Sequence, residues 1–361
     1  GPAVPGKEKQ EAAPAPGGST PSLPWTVRVG SVVLTGNRAE YGLLNHRPAA
    51  GFDPSFIALS TLDLAVDSIY NRGADIALQI RRMAFTERSG LTVSDMTGDI
   101  GMDASGISLA GVTLKTPFSR IEANISAGEG ILALAPDSPL KADLMADVNT
   151  KDLKYLYPAL IPPVLDGRIV SLALTAAGTL GDIGKAGLDI SSPGHVAFTA
   201  DGAARNVLDP GRMEASARFE GDFRDMAFLE ALLPDSALRR RIAIPDRIRL
   251  RGTAGADKGA FSAASTLSAD GGEIALQGQL DTRSEAYGIE LRCDSFPLNR
   301  FLPADSLGLI DLVLQAGGSG FDPLRAQTRG NIRLQVDRAE FRGRDFGGVE
   351  LNANLEGGQL S

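Results

Sequence analysis

Apolar residues in this chain recur two positions apart, run after run. Leu140, Ala142, Leu144, Ala146 and Val148 make one such run, and Ile121, Ala123 and Ile125 another. Nearer the start stand Leu62, Leu64 and Val66, then Ile76, Leu78 and Ile80. Successive side chains of an extended strand point to opposite faces, so a step of two keeps one face dry and leaves the other to water. Turn-forming groups separate the runs, among them Asn71-Arg72-Gly73, Ser89-Gly90, Ala104-Ser105-Gly106, Gly128-Glu129-Gly130 and Pro136-Asp137-Ser138. Many short strands with few helical stretches predict an all-β fold.

The second half repeats itself. DLKYLYPALIP at 152–162, DMAFLEALLP at 225–234 and DSFPLNRFLP at 294–303 each close on a proline, 72 and 69 residues apart. Each block leads into alternating strands. Val170, Leu172 and Leu174 follow the first, Ile248 and Leu250 the second, and Ile310, Leu312 and Leu314 the third. A period near 70 residues marks a tandem architecture. Within the blocks, Leu153, Leu156 and Leu160 keep helical spacing, so short helices are expected about once per repeat. Asp152, Asp225 and Asp294 stand where an N-cap would satisfy the first free backbone donors. Glycines 178, 252 and 317 are expected to end the strands that follow.

The organisation read from this is a Pro/Ala/Gly linker over 1–24, whose Gly1-Pro2 looks like a tag-removal scar. An alternating β-segment over 25–151 follows, then repeats at 152–224, 225–293 and 294–361, the last of them truncated. The chain reads as an internal fragment of a longer protein. It contains no run of 18 apolar residues, so no membrane-spanning helix is expected.

Composition narrows the chemistry. A formal net charge of −8 argues against nucleic acid as a partner. Two histidines, His46 and His195, and the single Cys293 make a poor metal set, and Cys293 reads as a small core residue. The sequence TLGDIGKA at 179–186 lacks the leading glycine and the closing hydroxyl of a phosphate loop. GGSG at 317–320 reads as a turn, and no nucleophile elbow occurs. No catalytic, cofactor or metal residues are assigned, and an enzyme is not expected. Arg247, Arg249 and Arg251 alternate along one strand, which reads first as a solvated face and second as a headgroup-binding face.

Something must cover the dry face. Four or five strands about 4.8 Å apart present a face roughly 20 Å wide. A two-turn helix is only about 12 Å long and hides part of it. The sheet therefore either folds over to pack its own interior, as a sandwich or β-solenoid, or leaves an apolar groove for a long hydrophobic ligand. Sparse aromatics, 6% of the chain, and many alanines favour a hollow interior.

The order of alternating strands and the proline-closed blocks resemble the TamB proteins of Bacteroidota, members of the AsmA-like family. So do the phrases SGL at 89–91, LAGVTLKTPFSRI at 109–121, FLPADSL at 301–307 and QAGGSGFD at 315–322. The resemblance covers most of the chain from about Ser55, without the family's inner-membrane anchor or its C-terminal domain. It implies a long curled antiparallel β-sheet, a β-taco, with a hydrophobic groove. It further implies a periplasmic location, anchoring in the inner membrane through segments outside this chain, and passage of phospholipid toward the outer membrane. An Omp85-type outer-membrane β-barrel is the implied protein partner.

On that reading acyl chains would contact Leu62, Leu64, Ile76, Leu78, Ile121, Ile125 and Leu144 in the first segment. In the repeats they would contact Val170, Leu172, Leu174, Val196, Phe198, Phe219, Ile248, Leu250, Ile274, Leu276, Ile289 and Leu291. Ile310, Leu312, Leu314, Ile332, Leu334, Val336 and Leu351 complete the set. Leu153, Leu156, Leu229, Leu232, Leu298 and Phe301 would lie on helices at the groove mouth. The competing readings are a structural or chaperone-like envelope scaffold for outer-membrane protein assembly that binds no lipid, and an extracellular β-solenoid adhesin.

Overall fold

The computed structural model describes residues 25–43, 46–129, 135–158, 163–233, 241–303, 306–322, 325, 327–357 and 359–361. The expected linker over 1–24, and the closing prolines Pro162 and Pro234, lie outside the described residues.

Alternation becomes strand throughout. The first segment holds β1 (Thr26–Gly42), β2 (Phe56–Arg72), β3 (Asp75–Glu87), β4 (Thr92–Asp103), β5 (Gly106–Lys115), β6 (Arg120–Gly128) and β7 (Pro139–Asn149). The first repeat adds β8 (Ile169–Thr179), β9 (Ile183–Ser192), β10 (Val196–Arg205) and β11 (Glu214–Arg224). The second adds β12 (Arg247–Asp257), β13 (Ala260–Ala269), β14 (Gly272–Asp281) and β15 (Ala286–Pro297). The third adds β16 (Leu307–Ser319), β17 (Arg329–Phe341), β18 (Arg344–Phe346), β19 (Val349–Glu356) and β20 (Gln359–Leu360).

Every strand from β1 to β17 pairs antiparallel with its neighbour in sequence. β18 and β19 lie end to end along β17, and β20 forms a small hairpin with β19. Among the described residues no pairing joins β1 to β19 or β20, so the sheet is one open, curled meander.

Among the described residues the short helices all stand on one rim. α1 (Thr150–Leu156) connects β7 to β8, a 3-10 helix (Met226–Leu232) leads from β11 toward β12, and α2 (Leu298–Phe301) leads from β15 toward β16. Each follows an odd-numbered strand, four strands after the last. A repeat is therefore four strands plus one rim element. We refer to this edge as the helix rim and to the opposite edge as the hairpin rim.

Curvature has a local cause. β1 to β6 carry a register shift in every pairing except β6–β7. Such bulges bend a strand and sharpen its twist. At the β5 bulge Gly111 adopts φ +58°, and its N–H donates to Asn124 Oδ1 at 2.8 Å. Thr61 and Ser68 hold φ +53° at the β2 shifts without being glycine. The pairings from β10 through β15 have no shift.

α1 lies back along the helix rim as a strap. Asp152 accepts hydrogen bonds from Thr116 and Ser119 in the β5–β6 connection, both at 2.5 Å. The Tyr155 ring lies over Gly90 in the β3–β4 turn. The Phe52 N–H, from the β1–β2 connection, donates to the Leu156 carbonyl at 3.2 Å. In that connection Asp53 binds His46 at 2.7 Å and the N–H groups of Ala49 and Ser55. These donors, the Ala49 N–H foremost, hold its carboxyl down to about 2.

The expected caps are corrected here. The α1 N-cap is Asn149, whose side chain accepts from the Lys151 N–H. Asp152 sits inside the helix and is buried because the two hydroxyls satisfy it. Asp225 precedes the 3-10 helix in a left-handed conformation with no side-chain cap bond, and Asp294 lies within β15. Because Asp152→Ala strands two hydroxyls, it is expected to cost about 1–3 kcal/mol by urea unfolding. A change within error would mean that the strap does not hold this rim.

Two glycine expectations also need correction. Gly252 and Gly317 fall inside β12 and β16, and those strands continue to Asp257 and Ser319. Gly252 is small for a packing reason: a Cβ there would lie 2.6 Å from the Phe219 ring.

Candidate apolar groove

The register turns alternation into geometry, because directly paired residues share a face. One ladder of paired neighbours crosses the whole sheet. It runs Leu34, Leu64, Met83, Met96, Leu114, Ile121 over β1 to β6. It continues through Ala146, Leu172, Ile190, Phe198, Gly221 and Leu250 over β7 to β12. Leu267, Ile274, Cys293, Leu312, Val336 and Val349 complete it over β13 to β19. No charged or hydroxyl side chain interrupts it. Its seventeen strand-to-strand steps make a contour of about 80 Å at ~4.8 Å per step.

A second row runs Ala123, Leu144, Leu174, Leu188, Ala200, Phe219, and resumes at Leu276, Leu291, Leu314, Leu334, Leu351. A third, nearer the hairpin rim, holds Leu78 and Ile125 at one end and Ile289 and Ile332 at the other. Between them it is built from small residues: Ala142, Ala176, Ala186, Gly202, Ala217, Ala254, Ala263 and Gly278. All the strand residues read from the sequence as groove-facing share this face: Ile76, Val170, Val196, Ile248 and Ile310 pair with Met102, Val148, Phe223, Ala269 and Ala339 at the ladder ends.

The face is concave and unfilled. Of those twenty-six groove-facing residues, Leu62 alone is fully buried, at 6% exposure. Leu174, Leu276, Ile289, Ile332 and Leu351 are exposed, and the rest are half-buried. A close-packed interior would leave few such gaps. Strand ends from β2 to β8 line one cavity of about 660 Å³, with Ile76, Met102, Ile107 and Leu140 on its wall. Strand ends from β13 to β19 line another of about 640 Å³, between Phe261, Leu280, Ile289 and Leu355.

Real packing occurs at the helix rim. Ala269, Cys293 and Phe296 form a buried cluster, against which Ile248, Leu267, Ile274, Leu298, Phe301 and Ile310 pack. Phe296 and Phe301 stack with centroids 5.0 Å apart. Thus α2 brings Leu298 and Phe301 onto the dry face. Leu153, Leu156 and Leu229 are half-buried on their rim elements, and the Leu232 side chain lies outside the described residues. Phe228 of the 3-10 helix is held by the Arg168 guanidinium, 3.5 Å above its ring, and by the edge of His195. Burial, and then the nearby Asp294 and Asp311, push the Cys293 thiol upward, which suits a packing role.

The opposite face is polar and internally paired. Asp222 accepts from both Arg224 and Arg247, at 2.8 and 2.6 Å, and these two guanidiniums hold its carboxyl well below the usual range. Arg249 pairs across to Asp222 and Ser268, and Arg251 approaches Glu273 at 4.0 Å. The arginine series therefore stands on the face away from the groove, among carboxylates. Thr175 and Arg333 share that face, beside Asp143 and Gln315 respectively.

One feature escaped the sequence reading. Three groove aromatics stand beside glycines of the next strand: Phe198 beside Gly221, which Phe223 of its own strand approaches more closely, Phe219 beside Gly252, and the Tyr287 hydroxyl beside Gly318. A Cβ at each of these glycines would crowd the neighbouring aromatic side chain. The signal existed as an aromatic and a glycine at matching heights, yet it needed the register to be seen. Among the described residues no three His, Cys, Asp or Glu side chains come together as a metal set. No helix of the described residues is long and apolar enough to cross a membrane. No family model, curated protein or solved structure matches the chain.

Proposed function

We propose that this chain is a lipid-conduit segment of the TamB/AsmA-like kind, in which the dry face carries phospholipid acyl chains between the membranes of a diderm envelope. The observation that carries the reading is the uncharged ladder from Leu34 to Val349, continuous from β1 to β17 and on to β19, and only half-buried over most of its length. Each methylene moved from water onto such a surface gains about 0.8 kcal/mol. Because this ladder passes from strand to strand without a polar step, sliding along it meets low barriers. The periplasm, an inner-membrane anchor beyond this chain and an Omp85-type partner belong to the same proposal and rest on the resemblance.

The test is titration with a fluorescent fatty acid. Saturable binding, reversed by added phospholipid, is expected. Absence of binding, with the sheet intact by circular dichroism, would favour the scaffold reading.

A further inference from the structure

The two rims of the groove are not equivalent. Among the described residues nine hydrophobic ones are fully buried: Leu62, Val66, Ile80, Val93, Ala123, Ala146, Ala269, Cys293 and Phe296. None lies within four residues of a strand end at the hairpin rim, and six lie within four residues of the helix rim. The helix rim is also strapped. α1 spans three connections, and the Ala243 N–H following the 3-10 helix donates to the Phe301 carbonyl of α2 at 2.9 Å. The hairpin rim has the opposite character. Both large cavities open there, and its floor over β7 to β14 is the row of alanine and glycine.

Both rims carry charge of both signs, the helix rim at Lys154–Asp166 and Arg300–Asp270, but at the hairpin rim the charge borders the small-residue row. Asp209 pairs with Arg212 at 2.6 Å, Glu214 with Lys258 at 2.8 Å, Asp281 with Arg283 at 3.4 Å, and Glu356 with Arg329 at 3.5 Å. Such pairs offer cations to a phosphodiester and carboxylates to an ammonium group, without a net field that would repel either.

We propose that phospholipid rides the hairpin rim, its acyl chains over the small-residue row and its headgroup along the paired charges, while the helix-rim half serves as the packed spine. This rests on the conduit reading above. Small side chains leave room for an acyl chain where leucine would fill it, and a polar edge beside an apolar floor matches the two ends of the molecule.

The test places photo-crosslinking residues singly at Ala217, Ala254 and Leu267 in the full chain. Each variant is irradiated with vesicles of equal parts phosphatidylethanolamine and phosphatidylglycerol. Lipid capture at Ala217 and Ala254, several-fold above Leu267, is expected. Capture at Leu267 equal to or above the other two overturns the rim assignment and leaves the conduit reading standing. Capture at none of the three overturns both.

A second measurement guards against local disruption. Ala254→Phe should lower lipid captured at Ala217 several-fold, whereas Ala264→Phe, beside Thr253 on the opposite face, should not. Ala254→Leu replaces the phenylalanine if the strand is disturbed. Unchanged capture in a folded Ala254 variant contradicts the proposal.

Discussion

Leu172→Asp and Leu334→Asp are each expected to abolish most acyl binding while the sheet stays folded. Leu172 pairs with Ala146 and Ile190, and Leu334 with Leu314 and Leu351, so each charge would stand among apolar neighbours. Both positions are half-buried, so in the empty groove the carboxylate still reaches water and the fold tolerates it. With an acyl chain laid over it, that hydration is lost. Covering a polar group in this way costs on the order of 2–4 kcal/mol, and an ionised one more. Affinity for a fatty-acid probe should therefore fall by roughly 100-fold. The check is probe titration beside a circular dichroism melt. A variant that fails to fold would instead mean that these leucines belong to a packed core.

The opposite pattern is expected at the spine. Phe296 is 3% exposed, stacks on Phe301 and belongs to the buried cluster with Ala269 and Cys293. Truncating a buried phenylalanine costs about 3–5 kcal/mol, so Phe296→Ala should lower the urea midpoint strongly. Leu276→Ala, at a groove position already 39% exposed, should cost well under half of that. Equal losses at the two sites would contradict the division into packed spine and open groove. Read together, the aspartate and alanine variants separate residues that hold the fold from residues that await a ligand.

The faces were legible in the sequence because a period of two survives wherever the backbone stays extended. Leu140 to Val148 and Ile332 to Val336 could be assigned to a face without knowing any partner strand. The rim elements were legible as short helices at a spacing of about 70 residues, but their caps were not. Asp152 carries the residue type of an N-cap and the burial of an anchor, and the difference lies in Thr116 and Ser119, more than thirty positions away. Bulges at Thr61 and Ser68 were hidden because neither is glycine and the strain is borne by the surrounding ladder. Gly252 signalled an end in sequence but in space is the seat of the Phe219 ring. Alternation specifies which side a residue takes, and it is silent on whether that side will be filled. The choice between a packed interior and an open groove depended on the extent of curl, a sum of small twists over the whole meander.

The most direct measurement is native mass spectrometry of the purified chain, paired with solvent extraction of the same sample. An open ladder about 80 Å long should retain phospholipid through purification. The account predicts discrete adducts of phospholipid mass that are lost in Leu172→Asp and kept in Thr175→Asp, whose side chain lies on the polar face. A chain that carries no lipid over repeated preparations, or equal adducts on both variants, would contradict it.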